Sequence, residues 1–288
     1  MAESPAHKFG QIIGNLLEEI VGPILKDFCN QRGLYLDRKE ERGKARAGKK
    51  VTWEDKYGNK HDLDFVIEKD GLPDKKGRPL AFIEVAWRRY TKHSRNKVQE
   101  IQGAIIPIAE RYKWDIPFLG AVLAGIFTDN SINQIESFGF NVLYIPYKTI
   151  INAFCCINID AQFDESTRDE EFKNCVNKIE SLATLERESF KQKLIELNQA
   201  QIDKFFSSLA KTLDRLIYKI IIVPLYGKDR CFQDISSAIN FIAGYNESIA
   251  DDAFKKYEII IEYSNRDKIT AEFSSKDRVT SFLKNFSS

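Results

Sequence analysis

The chain has 288 residues, of which 43% are hydrophobic and 30% charged, and its formal net charge is +1. These values describe a globular protein with one large or two ordinary cores, and they exclude both a disordered chain and a global polycation. No apolar run approaches the roughly 18 residues of a membrane span, and three histidines are too few for histidine-based zinc or metal-finger chemistry, which leaves carboxylates to hold any metal.

In chain order, residues 9–30 form an amphipathic helix, with Ile13, Leu16, Leu17, Ile20, Val21, Ile24 and Phe28 at helical spacing. Gly33 ends it, and residues 34–36 begin a strand. Residues 38–50 carry seven basic and two acidic side chains with two glycines and two alanines. They read as a loop that orders on a phosphate backbone through Lys44, Arg46, Lys49 and Lys50. Trp53 and Tyr57 follow in a strand or turn. A strand then carries Asp62 and Asp64 on one side and continues through Phe65, Val66 and Ile67. Gly71, Pro73, Gly77 and Pro79 turn the chain. The next strand, 80–86, is apolar except for Glu84.

A carboxylate in such a run is costly to bury unless it is paired or holds a metal. Asp64 and Glu84, on adjacent strands of one hairpin, are expected to lie side by side. Their mutual repulsion is relieved by a hard divalent cation such as Mg²⁺. Arg88, Arg89, Lys92, Arg95 and Lys97 follow with no acid between them. A metal site beside a cationic loop suits a phosphodiester substrate.

The spacing predicts a helix over 94–112 whose buried face carries Val98, Ile101, Ile105, Ala109 and Tyr112. Lys97 falls at the edge of that face. Strands are expected at 118–124 and 141–145, joined by a helix with a capping-box start at Ser131 and Gln134. This strand-helix-strand order implies a parallel crossover. Residues 147–162 read as a connection, and 164–216 as one or two long helices. The last 70 residues read as a small α/β unit with strands 217–224, 257–263 and 268–273 and helices 232–243 and 275–286. The expected domains are therefore 1–162, a helical spine with a possible dimerisation role over 163–216, and 217–288.

The residues Asp64-Phe65-Val66-Ile67 and Ile83-Glu84-Val85-Ala86, within the order helix, three strands, helix, strand, helix, strand, resemble the PD-(D/E)XK nuclease superfamily over roughly residues 9–146. That resemblance implies an α/β core of this type. It further implies a Mg²⁺-dependent endonuclease on double-stranded DNA, most plausibly a type II restriction enzyme acting as a homodimer, with no nucleotide cofactor. The alternatives are a repair or phage-defence nuclease of the same fold, or a DNA-binding protein without catalysis. Asp64 and Glu84 would hold the metal. The family's lysine two residues after the glutamate is Ala86 here, and Lys97 is the better substitute. A glutamate of the first helix near the metal corresponds best to Glu18. Arg88, Arg89, Lys92 and Arg95 would hold DNA, and the C-terminal unit is a candidate for sequence recognition. Five cysteines without zinc or redox spacing, and no signal peptide, read as a reduced, cytoplasmic protein.

Overall fold

The structure is a computed structural model that describes residues 4–39, 46, 48, 50–91, 94–225, 227–247 and 255–287. Among them the chain is mixed α/β, with nine helices and three sheets, and it divides into two compact units, Met1–Leu209 and Ala210–Ser288.

The first unit is built on a sheet of strand order β1-β4-β5-β6-β7, namely Tyr35–Arg38, Phe65–Lys69, Arg78–Arg88, Phe118–Gly125 and Asn141–Pro146. β4 runs antiparallel to β1 and β5, while β5, β6 and β7 are mutually parallel. The parallel strands are continuous apolar runs because helices cover both of their faces. One face carries α1 (Pro5–Asn30) and α4 (Tyr147–Cys155), and Trp87 meets Phe9 and Tyr147 edge-on there. The other face carries α2 (Ser94–Arg111) and α3 (Asp129–Ser137). On it Val66, Phe82, Ala86 and Leu123 pack against Val98, Ile101, Ile105 and Ile135. Strand alternation accounts for the division: Phe82, Glu84 and Ala86 point to α2, and Ile83, Val85 and Trp87 point to α1.

The stretch 61–67, expected as one strand, is two. β2 (Val51–Glu54) pairs with β3 (Lys60–Leu63) in a separate hairpin, and the chain bends at Asp64 before entering β4. The hairpin puts Val51, Trp53 and Leu63 over the α2 face, so burying these side chains breaks the strand. Asp62 consequently leaves Asp64 and bonds Lys50 and Thr52. α3 starts earlier than Ser131: Thr128 is its N-cap and accepts the Ser131 amide. Residues 147–155, expected as part of a connection, are the helix α4.

The region 164–216 contains three helices, α5 (Asp169–Glu180), α6 (Thr184–Leu197) and α7 (Gln199–Leu213). α5 packs on α1 through Phe172 and Phe9, α6 on α4 through Phe190 and Phe154, and Phe205 of α7 meets Phe118. Most of this stretch is therefore part of the first unit.

The second unit has an antiparallel sheet of order β11-β10-β8-β9: Lys268–Phe273, Lys256–Tyr263, Ile217–Leu225 and Arg230–Phe232. Helices α8 (Ile235–Gly244) and α9 (Lys276–Lys284) pack together and bury Ile242, Val279 and Leu283. The sheet buries alternate residues Ile220 and Ile222, and Tyr257, Ile259 and Ile261, as period-2 patterning requires.

Candidate active site

The β4–β5 ladder pairs Phe65 with Ile83, which sets Asp64 opposite Glu84 one position beyond the last pair. Because the chain bends at Asp64, its backbone no longer serves β5 there. Its side chain takes over, and Oδ2 accepts the Val85 amide at 2.7 Å. The Asp64 and Glu84 carboxyls lie close enough for each to act on the other's charge. Glu84 is 9% exposed, and its Oε1 is buried with no hydrogen-bond partner.

Burial first, and the Asp64 charge second, push the Glu84 carboxyl up to about 9, against an ordinary 4.5. Burial raises Asp64 as well, opposed by the Val85 amide and the charges of Lys97 and Lys39. Two carboxyls this close in low dielectric cannot both ionise cheaply. At neutral pH the pair therefore keeps a proton unless a cation replaces it.

Lys97 lies on the first turns of α2, with its side chain only 16% exposed. It bonds Glu100 at 3.1 Å, and its charge favours the ionised form of both Asp64 and Glu84. Ala86, where the resembled family has lysine, is inside the apolar cluster with Val98 and Ile101. Glu18 and Lys39 line one cleft of about 460 Å³ with Asp64. Glu19, on the same cleft, pairs with Lys191 at 2.9 Å. Lys39 stood in the basic run of the sequence; Lys191 joins the cleft from α6 and had no local signal.

These residues fit a hard divalent cation by the chemistry of their donors: a carboxylate pair held at high proton affinity, with one buried oxygen unsatisfied. Among the described residues there is no cluster of three or more His, Cys, Asp or Glu arranged for a metal. Mg²⁺ suits a two-carboxylate site because it keeps several of its own waters.

The expected nucleic-acid contacts divide. Arg46 is a correction. It is 1% exposed, bonds both oxygens of Glu68 at 2.5 and 2.9 Å, pairs with Asp37 at 2.9 Å, donates to the Leu72 and Lys75 carbonyls and stacks on Tyr35. Two buried carboxylates require this guanidinium, so it cannot reach a phosphate backbone. Lys50 is exposed but paired with Asp62 at 2.7 Å. Arg88 donates to the Trp87 carbonyl and faces Glu100 at 3.9 Å. Arg89 stacks on Tyr90 and Phe172, and Arg95 is exposed on α2. Lys44, Lys49 and Lys92 lie outside the described residues. No described helix is long and apolar enough to cross a membrane.

Compared with known protein families, with curated proteins and with solved structures, the chain matches none.

Proposed function

We propose that the chain is a metal-dependent deoxyribonuclease of the PD-(D/E)XK kind, with Asp64 and Glu84 as its metal-holding pair. The observation that carries this reading is the pair itself: two carboxyls opposed across adjacent strands, one of them raised to about 9, with a lysine beside them. Bound between these carboxylates, Mg²⁺ would supply positive charge against the scissile phosphodiester and polarise a water. Lys97 places a second positive charge at the same point, where it can stabilise the charge that develops on phosphate. Glu100 holds that ammonium in position. Glu18 and Lys39 border the open cleft in front of Asp64, so substrate reaches the pair from that side. Arg88 and Arg95 extend the positive edge along β5 and α2. Cutting both strands at one site calls for two copies of the chain, and a homodimer follows. A type II restriction enzyme is the preferred member of this class, ahead of a repair or phage-defence nuclease.

A second reading, a DNA-binding protein without catalysis, is favoured by Ala86: the apolar cluster around it leaves Lys97 to do alone what the family's lysine does. Incubation with supercoiled plasmid and a phage genome in Mg²⁺ tests both. Discrete fragments support a restriction enzyme and a smear supports a general nuclease. Intact DNA together with a gel shift refutes catalysis and leaves the second reading.

A further inference from the structure

A second cavity, of about 650 Å³, lies at the carboxyl end of β5. It is separate from the cleft that holds Asp64. The first turn of α1, the first turn of α2 and residues 87–90 enclose it, and its walls include Phe9, Trp87, Arg88, Arg89, Tyr90 and Asn96. Two features distinguish it from an ordinary surface recess. Its walls are aromatic on several sides, and each ring is fixed. Trp87 is held edge-on by Phe9 and Tyr147, and the Tyr90 hydroxyl donates to the Asp164 carbonyl at 2.9 Å. The second feature is Arg89. Its guanidinium is stacked on Tyr90 at 4.4 Å and on Phe172 at 4.2 Å, yet Nε and Nη1 are buried and bond no acceptor.

Leaving a buried N–H unpaired is costly, and more so when the group is charged. Arg46 shows how this chain treats a buried guanidinium that serves the fold, meeting it with two carboxylates and two carbonyls. Arg89 receives none of that. A guanidinium held rigid by aromatic faces, bonded to the Tyr90 side chain but with Nε and Nη1 unspent, is pre-organised for a planar or tetrahedral oxyanion. The neighbouring rings offer a stacking face, which every nucleobase can satisfy because each has a π-face. Asn96 adds an amide able to donate and accept at a base edge.

We infer that this pocket takes one nucleotide unit of nucleic acid out of the stack, its phosphate on Arg89 and its base against the aromatic wall. The inference rests on the nucleic-acid reading above and deepens it. Arg88 follows Glu84 by four residues, about 13 Å along a strand, so a nucleotide seated here belongs to the strand that reaches the carboxylate pair. Glu100 connects the two places, since it faces both Lys97 and Arg88. The nucleotide can come from a strand end or from inside a duplex; the chemistry recognised is the same.

The test uses the full chain in EDTA, so that the carboxylate pair and its metal play no part. Deoxynucleoside 5′-monophosphates, the matching deoxynucleosides and inorganic phosphate are titrated by calorimetry. The monophosphate is expected to bind at least tenfold more tightly than either fragment. Arg89→Lys and Asn96→Ala are each expected to weaken it several-fold while the thermal transition is retained; Asn96→Ala alters an exposed side chain and keeps the test valid should Arg89→Lys unfold. Phosphate binding as tightly as the nucleotide, or affinity unchanged in both variants, would overturn the inference. A 2-aminopurine placed at a 5′ end, and another inside a hairpin-closed duplex, distinguish the two sources by their fluorescence rise. A rise in neither would overturn the inference too. Cleavage without nucleotide binding removes the pocket and leaves the nuclease reading; nucleotide binding without cleavage does the reverse.

Discussion

Glu84→Gln separates the electrostatics of the carboxylate pair from its chemistry. In the folded chain Glu84 keeps its proton up to about pH 9; in the unfolded chain it loses it near its ordinary 4.5. A carboxyl raised by folding stabilises the fold fully below its unfolded value, and that contribution is lost as pH climbs toward the folded value. At pH 7 the chain is about 2.5 pH units above the unfolded value, at about 1.4 kcal/mol per unit. Folding therefore carries a cost of about 3 kcal/mol to keep this one proton. Glutamine has the shape of the neutral acid and needs no proton. The variant should thus be more stable than the parent by about 3 kcal/mol at pH 7, by more at pH 8.5, and by almost nothing at pH 4.5. Urea unfolding in EDTA at these three pH values measures the difference. All three tryptophans, Trp53, Trp87 and Trp114, lie in the Met1–Leu209 unit, so their fluorescence reports the unit that holds the site. Mg²⁺ should stabilise the parent by mass action and not the variant. Parallel stability curves for the two proteins from pH 4.5 to 8.5 would refute the claim that Glu84 is held protonated.

Asp64→Ala should abolish cleavage and keep DNA binding, and cutting by this variant in Mg²⁺ would place the chemistry elsewhere. Lys97→Ala should lower the cleavage rate by roughly 100-fold or more, whereas Gln99→Ala, on the exposed side of α2, should change it little; single-turnover assays on a plasmid compare them. Arg46→Ala should cost about 3–5 kcal/mol of stability, because Asp37 and Glu68 would remain buried without a counter-charge. Arg46→Ala should leave the salt slope of DNA binding unchanged, and a slope that falls by about one per arginine removed would contradict its burial. Mg²⁺ binding should release protons near neutral pH and strengthen as pH rises toward 9, since the cation displaces the proton that Glu84 holds; calorimetry in buffers of different ionisation enthalpy measures that release.

The candidate site was legible where local pattern was enough. Alternation along 80–86 isolated Glu84 as a carboxylate in an apolar strand, and the turn residues between 71 and 79 made its neighbour the strand carrying Asp64. The helical wheel of α2 placed Lys97 at the margin of the buried face, where the structure has it. The parallel crossover from β6 to β7 followed from strand-helix-strand order. The α4 helix was missed although Tyr147, Ile150, Ala153 and Phe154 repeat at helical spacing; Pro146 and a following irregular stretch obscured nine helical residues. β9 is three residues long and has no periodic signal to read.

What the sequence by itself determined is the chemistry on offer: few histidines, scattered cysteines, acidic side chains on neighbouring strands and a cationic stretch after them, all properties of residues near one another along the chain. Tertiary structure alone decided which charges are spent inside the molecule. Arg46 belonged by composition to a basic run expected on a phosphate backbone, yet two carboxylates outside that run, Asp37 and Glu68, draw it into the core, while Arg89 is left with Nε and Nη1 buried and unmet. Ion pairing depends on distances between segments far apart in sequence, and a charge does not reveal its partner until the chain has folded around it.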